Sequence, residues 1–128
     1  MSNHQITNVA VKKFDIYDRC FNFASKTAVT LQSLPKNYFI TEYIKQLLRS
    51  SGSIGANLTE ADGAISKKDF INKLCIARKE AKESIHWLKL INSIATEENA
   101  DLKSLIQENT EIVLILSKII QNTQKNDK

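Results

Sequence analysis

Apolar side chains recur along this chain at alternating spacings of four and three, and the rhythm runs through most of its length. From about 15 to 33, Tyr17, Phe21, Ala24, Ala28 and Leu31 form one such series. That spacing keeps a single stripe of a helix facing a neighbour, so it predicts a helix. Pro35 stops it, and Leu34, just before the proline, is pushed out of the α region. Ile40, Ile44, Leu47, Ser51, Ile54, Leu58 and Ala61 predict a second helix over about 37 to 62, with Gly63 as the residue that follows its C-cap. Ser66, with Asp69 three residues on, is a variant of the capping box and opens a third helix. Its stripe is Phe70, Leu74, Ala77, Ala81, Ser84 with Ile85, Leu88, Ile91 and Ala95. After a polar turn at 96–99, a fourth helix starts near Ala100, with Asp101 favourable at its positive end. Leu102, Leu105, Ile112, Leu116 and Ile119 make its stripe, widened by Ile106, Val113 and Ile120. Asn109 interrupts that stripe, either as a tolerated polar position or as a buried amide that sets register.

Four amphipathic helices with short connections predict an all-α fold, an antiparallel up-down-up-down four-helix bundle. The bundle is expected over 14–121, with flexible tails at 1–13 and 122–128. A chain of 128 residues suits one domain. Three glycines and one proline are too few for the turns of a sandwich or barrel, and no useful period-two run is present. The most apolar run, 112–120, is broken by Ser117 and Lys118 and falls short of the roughly 20 residues that span a bilayer. No basic-then-apolar leader opens the chain. Cys20 and Cys75 lack metal-type spacing and read as reduced, structural thiols. A cytoplasmic protein with no membrane contact is the expectation.

Charge adds information only when it is placed on helices. The net charge of +4 is mild. Residues 66 to 91, however, hold seven cations against three acids, so the excess belongs to the third helix alone. Lys67, Lys68, Arg78, Lys79, Lys82 and Lys89 fall in one arc beside its core stripe, while Asp69, Glu80, Glu83 and Trp87 fall on the other side. The arc reads as a solvated face with a few i,i+4 pairs, as a phosphate-binding stripe, or as half of a charge-complementary subunit contact. On the second helix, Arg49, Ser53, Asn57 and Glu60 share one flank, and Gly52 and Gly55 line the other. Two glycines inside a helix cost about 1 kcal/mol each relative to alanine. Close approach by another helix would offset that; otherwise they simply kink or weaken the helix. Trp87 lies off the core stripe, where it either caps the bundle edge or enters a subunit contact. The candidate subunit interface is therefore Arg49, Gly52, Ser53, Gly55, Asn57, Glu60, Glu80, Glu83 and Trp87.

Candidate chemistry fails one group at a time. His4 lies in a tail, and His86 stands alone on a helix surface. The pairs Glu80/Glu83 and Glu60/Asp62 lack the Glu-x-x-His ligands of di-iron bundles. No glycine loop that cradles phosphates is present. No catalytic, cofactor-binding or metal-ligating residue is assigned, and no enzymatic activity is expected.

The run Arg49-Ser50-Ser51-Gly52-Ser53-Ile54-Gly55-Ala56-Asn57-Leu58-Thr59-Glu60-Ala61 resembles the signature of the four-helix-bundle proteins grouped with the 23S rRNA intervening-sequence protein, roughly Ser-Ile-x-x-Asn-x-x-Glu-Ala/Gly. A Ser-Lys-Lys-Asp-Phe helix start follows at 66–70, as it does there. Ala77 to Leu88 is similar to the Lys-Glu-Ala-x-Glu-x-x-x-Trp-Leu helix of one branch. The resemblance implies a bundle that assembles as a homopentameric ring. It places the family in intervening sequences of bacterial rRNA genes. It also brings in a similar accessory protein of diversity-generating retroelements, which is thought to bind nucleic acid and a reverse transcriptase. Asn57, Glu60, Glu80 and Glu83 fall on motif positions with a structural task. The expected function is a non-enzymatic oligomeric module that contacts RNA or DNA through the third helix. The alternative is an adaptor that binds only another protein, such as a polymerase-like partner.

Overall fold

A computed structural model describes the backbone of residues 8–126 and the side chains of residues 16–126. Four helices follow in chain order: α1 (Asn8–Gln32), α2 (Tyr38–Asp62), α3 (Lys67–Ile94) and α4 (Ala100–Lys125). No strand occurs among the described residues. None of the helices described is long and apolar enough to cross a membrane.

Three of the four helix starts are capped by the side chain that the sequence puts there. Asn37 Oδ1 accepts from Ile40 N at 3.0 Å, Ser66 Oγ from Asp69 N at 3.0 Å, and Asn99 Oδ1 from Leu102 N at 3.1 Å. Each such cap is worth about 1 kcal/mol. The capping box at Ser66 is not reciprocal, because Asp69 Oδ2 accepts from Ile65 N rather than from Ser66 N. Gly63 closes α2 at φ −96, donating to Glu60 and Ala61 carbonyls. It uses no left-handed geometry, so glycine is not required there by backbone sterics.

Two boundaries differ from expectation. α1 begins at Asn8, within the stretch expected as a tail, and α4 runs on to Lys125. Neither flank contains glycine or proline, so each added residue extends the hydrogen-bond ladder at little cost. At the far end Thr123 Oγ1 donates to Ile119 O at 2.7 Å, and Lys125 sits favourably in the last turn. The expectations for residues 1–7 and 127–128 lie outside the described residues.

The helices pack in a closed ring of neighbours, α1–α2–α3–α4–α1, and the α2–α3 contact is the most extensive. α2 and α3 run antiparallel: Tyr43 meets Trp87, Arg49 meets Glu83, and Glu60 meets Lys73. α3 and α4 do likewise, with Arg78 beside Ser117 and Ala81 beside Asn109. The stripes expected for α2, α3 and α4 supply Leu47, Ile54, Leu74, Ala77, Ala81, Leu88, Leu102, Ile112 and Leu116 to one core.

The stripe of α1 is a correction. Phe21 is 59% exposed, and the buried residues described on α1 are Ile16, Cys20, Phe23, Thr27, Thr30 and Leu31, with Leu34 just after the helix. Two series with nearly the same spacing coexist on this helix, one beside the other. The inward series carries Ile16, Cys20, Phe23 and Thr27, shares Leu31 with the expected stripe, and leaves Arg19 free to face α4. Cys20 is fully enclosed, and burial pushes its thiol up to about 12, well away from reactivity.

Arg19 fastens α1 to α4. Its Nε and Nη2 donate to both carboxylate oxygens of Glu108 at 2.9 and 2.7 Å, and Nη2 also donates to Glu111 at 2.8 Å. A fork-to-fork pair of this kind is stronger and more directional than a lysine contact. Gln107 donates to Glu111 at 3.0 Å, and with Arg19 it holds the Glu111 carboxyl below its ordinary value of 4.5. A depressed acid contributes stability that is present above its unfolded value and lost as pH falls through the folded one. The melting-temperature difference between the wild type and Arg19→Met is therefore expected to shrink below about pH 4.5. A difference that stays constant from neutral to acid pH contradicts the assignment.

Inside the bundle, buried polar groups find partners across helices. Ser50 and Ser84 Oγ lie 2.8 Å apart with neither exposed, linking α2 to α3. Asn109, fully buried on α4, donates Nδ2 to Ala81 O at 2.9 Å. Its Oδ1 has no partner. Of the two readings of this position, the structure bears out the buried amide.

Candidate functional site

The charged residues of α3 separate into two flanks with opposite fates. On the flank toward α2, every acid of the candidate subunit interface is paired within the chain. Arg49 Nη1 lies 3.4 Å from Glu80 Oε1, and its Nη2 donates to Glu83 Oε1. Glu60 meets Lys73 Nζ at 3.0 Å, a contact that raises the ammonium above its ordinary pKa. Ser53 Oγ donates to Arg49 O at 2.8 Å and Asn57 Nδ2 to Ser53 O at 2.8 Å, so both are spent along α2 itself. The family signature thus reads locally as a staple between α2 and α3. Exposed pairs of this kind contribute about 1 kcal/mol or less each, and act more on register than on stability.

Trp87 also turns to α2. It is half-buried against the core, its ring centroid 5.8 Å from that of Tyr43 and 4.8 Å from that of His86. Its Nε1 is shut from solvent with no acceptor. The two glycines, by contrast, meet little of their own chain. A Cβ at Gly52 has nothing within 4 Å, and at Gly55 it would reach Tyr17 Cε1 at an ordinary 3.8 Å. Among the described residues no helix makes the close approach that would offset them.

The flank toward α4 is different. Lys68, Arg78, Lys79, Lys82 and Lys89 have no ion-pair partner among the described residues, while Lys67 is engaged within the chain. Arg78, Lys82 and Lys89 lie at i, i+4 and i+11, within one narrow arc and over about 16 Å of helix. Arg78 is held by Ser117 of α4, its Nη1 3.3 Å from the hydroxyl. Beside it a cleft of about 450 Å³ opens between α3 and α4, lined by Cys75, Arg78, Leu114, Ser117, Lys118, Ile120, Gln121 and Gln124. None of these is acidic. Of the α3 residues that line the cleft, Arg78 was legible in the sequence as a candidate contact, whereas Cys75 read only as a structural thiol. The α4 residues were not, since Leu114, Lys118 and Gln121 mark a face of α4 only once the antiparallel partner is known. The Arg19–Glu108–Glu111 clamp was missed for the same reason.

The sequence profile of the 23S rRNA-intervening sequence protein family matches residues 12–118. The chain belongs to that family. It is also similar to a crystallised protein of unknown function from the S23 ribosomal protein family of Bacteroides thetaiotaomicron VPI-5482, solved at 1.70 Å. The two are 36% identical and superpose with a TM-score of 0.74, over 86% of this chain and 98% of that one. No curated protein matches. Within this 23S rRNA-intervening sequence family member, the motif residues Arg49, Glu60, Glu80 and Glu83 pair across the α2–α3 seam. The cationic flank lies on the opposite side of α3.

Proposed function

We propose that this family member is a non-enzymatic interaction module that contacts RNA or DNA through the α3–α4 face and works as an assembly of several copies. The observation that carries the first half is the set of unpaired cations. Five basic side chains on one helix stand without carboxylate partners among the described residues, while Glu80 and Glu83 of that helix pair with Arg49 of α2. A phosphate backbone supplies the missing charge and releases its counterions on contact. Retention on immobilised single-stranded RNA at low salt, lost on raising the salt, tests the reading; indifference to salt removes it.

Assembly has its own support. Phe21 and Leu48 are 59% and 44% exposed on α1 and α2, and Gly52 leaves an open backbone on α2. An apolar face with small residues is suited to a second copy, and the ring of five implied by the family resemblance is the expected size. Phe21→Glu is expected to lower the mass seen by light scattering to that of a single chain, with circular dichroism unchanged. An unaltered mass contradicts self-association through this face. Gly52→Leu is expected to act in the same direction.

The adaptor reading draws on Tyr38 and Phe39, which are 73% and 62% exposed and stacked edge to face at 5.5 Å. Paired exposed aromatics favour a protein contact. A partner captured equally well after nuclease treatment would favour this second reading.

A further inference from the structure

The cleft between α3 and α4 is more than a phosphate surface needs. Phosphates are met well by a flat row of cations, and Arg78, Lys82 and Lys89 already provide one. A concavity of about 450 Å³ lies within the range of small-ligand sites. Its lining is also of the wrong kind for phosphate alone: apolar Leu114, Ile120 and Cys75, then the amides of Gln121 and Gln124, with Arg78 and Lys118.

From this combination we infer that the cleft seats an unpaired base of a single-stranded nucleic acid. The inference rests on the phosphate-binding reading above and names its ligand more narrowly. In a duplex the bases are stacked and paired, and none can enter a cleft; in a single strand a base swings out freely. Each glutamine amide both donates and accepts, which suits the mixed edge of a base. The plane of an arginine guanidinium takes a base by stacking. Here Arg78 is steadied by Ser117 at 3.3 Å and is not drawn away by any carboxylate among the described residues. Leu114 is 64% exposed, and it supplies apolar surface at the centre of a cationic face. Lys82, one turn from Arg78, and Lys118 are then placed for the flanking phosphates.

The chain carries its own reporter. Cys75 lines the cleft and is partly exposed, whereas Cys20 is fully enclosed. A maleimide therefore reads the cleft thiol. Oligo-uridylate and oligo-thymidylate of roughly 12 nucleotides, within the span of known single-strand sites, are compared with a duplex of equal length. The single strands are expected to slow Cys75 labelling severalfold, and the duplex is expected to leave it unchanged. Leu114→Arg separates the base site from simple charge. It adds a cation to the face yet fills the cleft, so affinity for the single strands should fall, by about fivefold or more if stacking on the order of 1 kcal/mol is lost. Gln121→Ala with Gln124→Ala should weaken the single strands and spare the duplex. Three results together overturn the base site while leaving the phosphate reading standing: equal affinity for duplex and single strand, unprotected Cys75 at saturation, and tighter binding by Leu114→Arg. Absence of any binding at low salt overturns both.

Discussion

Lys82→Glu combined with Lys89→Glu is expected to weaken binding to a single-stranded oligonucleotide by about a hundredfold at about 50 mM salt. The magnitude follows from counterion release. For single strands the logarithm of the affinity changes by roughly 0.7 per phosphate contact for each decade of salt, so at about 50 mM one contact is worth nearly tenfold. Two contacts are lost together. The salt slope itself should fall by about one unit or slightly more. Stability should change little, because Lys82 and Lys89 are exposed and neither cation has a carboxylate to abandon among the described residues. The control is a reversal of equal size on the other side of the molecule, Lys26→Glu with Lys45→Glu. Both are exposed, and Lys45 lies 3.0 Å from Glu42 on α2. If the control weakens binding as much as the α3 pair, net charge alone is being read and the face has no special role.

Asn109→Asp is expected to destabilise the fold by about 3–5 kcal/mol at neutral pH, against a total of about 5–15 for a domain of this size. Asn109 is fully buried, and the group it addresses, Ala81 O at 2.9 Å, is an acceptor. A carboxylate placed there would face that carbonyl oxygen, and the amide oxygen it replaces has no donor among the described residues. Desolvation and that repulsion both favour the protonated acid, so the introduced group has a folded pKa raised above its unfolded value of about 3.9. The penalty therefore accumulates as pH rises above that value, and the gap to the wild type closes as pH falls toward it. Asn109→Leu makes the opposite point. It removes the amide oxygen that has no partner, and Ala81 O keeps its place within α3, so stability should rise by about 1 kcal/mol. Chemical denaturation at neutral and acid pH checks all three chains. A neutral result for Asn109→Asp at pH 7 contradicts the buried-amide geometry.

Local pattern was enough for most of the fold. On α2, α3 and α4 the alternating apolar series, together with the cap at Ser66, marks both the helices and their inward faces, while the caps Asn37 and Asn99 emerge with the structure. α1 was misread because Tyr17, Phe21, Ala24 and Ala28 match the same rhythm as Ile16, Cys20, Phe23 and Thr27. Periodicity states that a face exists; tertiary packing decides which of two adjacent faces is chosen. The displaced series then becomes informative in its own right, since it leaves Phe21 exposed and sets Tyr17 beside Gly55 of α2.

Charge was legible to the same depth. The sequence sorted the cations of α3 from its acids, and the structure keeps that division. It could not say that Arg49 and Lys73 would neutralise Glu80, Glu83 and Glu60, since that depends on antiparallel register between α2 and α3. Nor could it bring Leu114, Ser117, Lys118, Gln121 and Gln124 of α4 to Arg78 and Cys75 of α3. A cleft is a property of two helices at once.

The central claim, that uncompensated cations on the α3–α4 face grip phosphates, is tested most directly by one titration. Affinity for a labelled single strand is measured by fluorescence anisotropy over a series of salt concentrations. With two to four phosphate contacts, the logarithm of the affinity should fall against the logarithm of salt with a slope between about −1.4 and −3. A slope near zero, or no binding at the lowest salt, contradicts it.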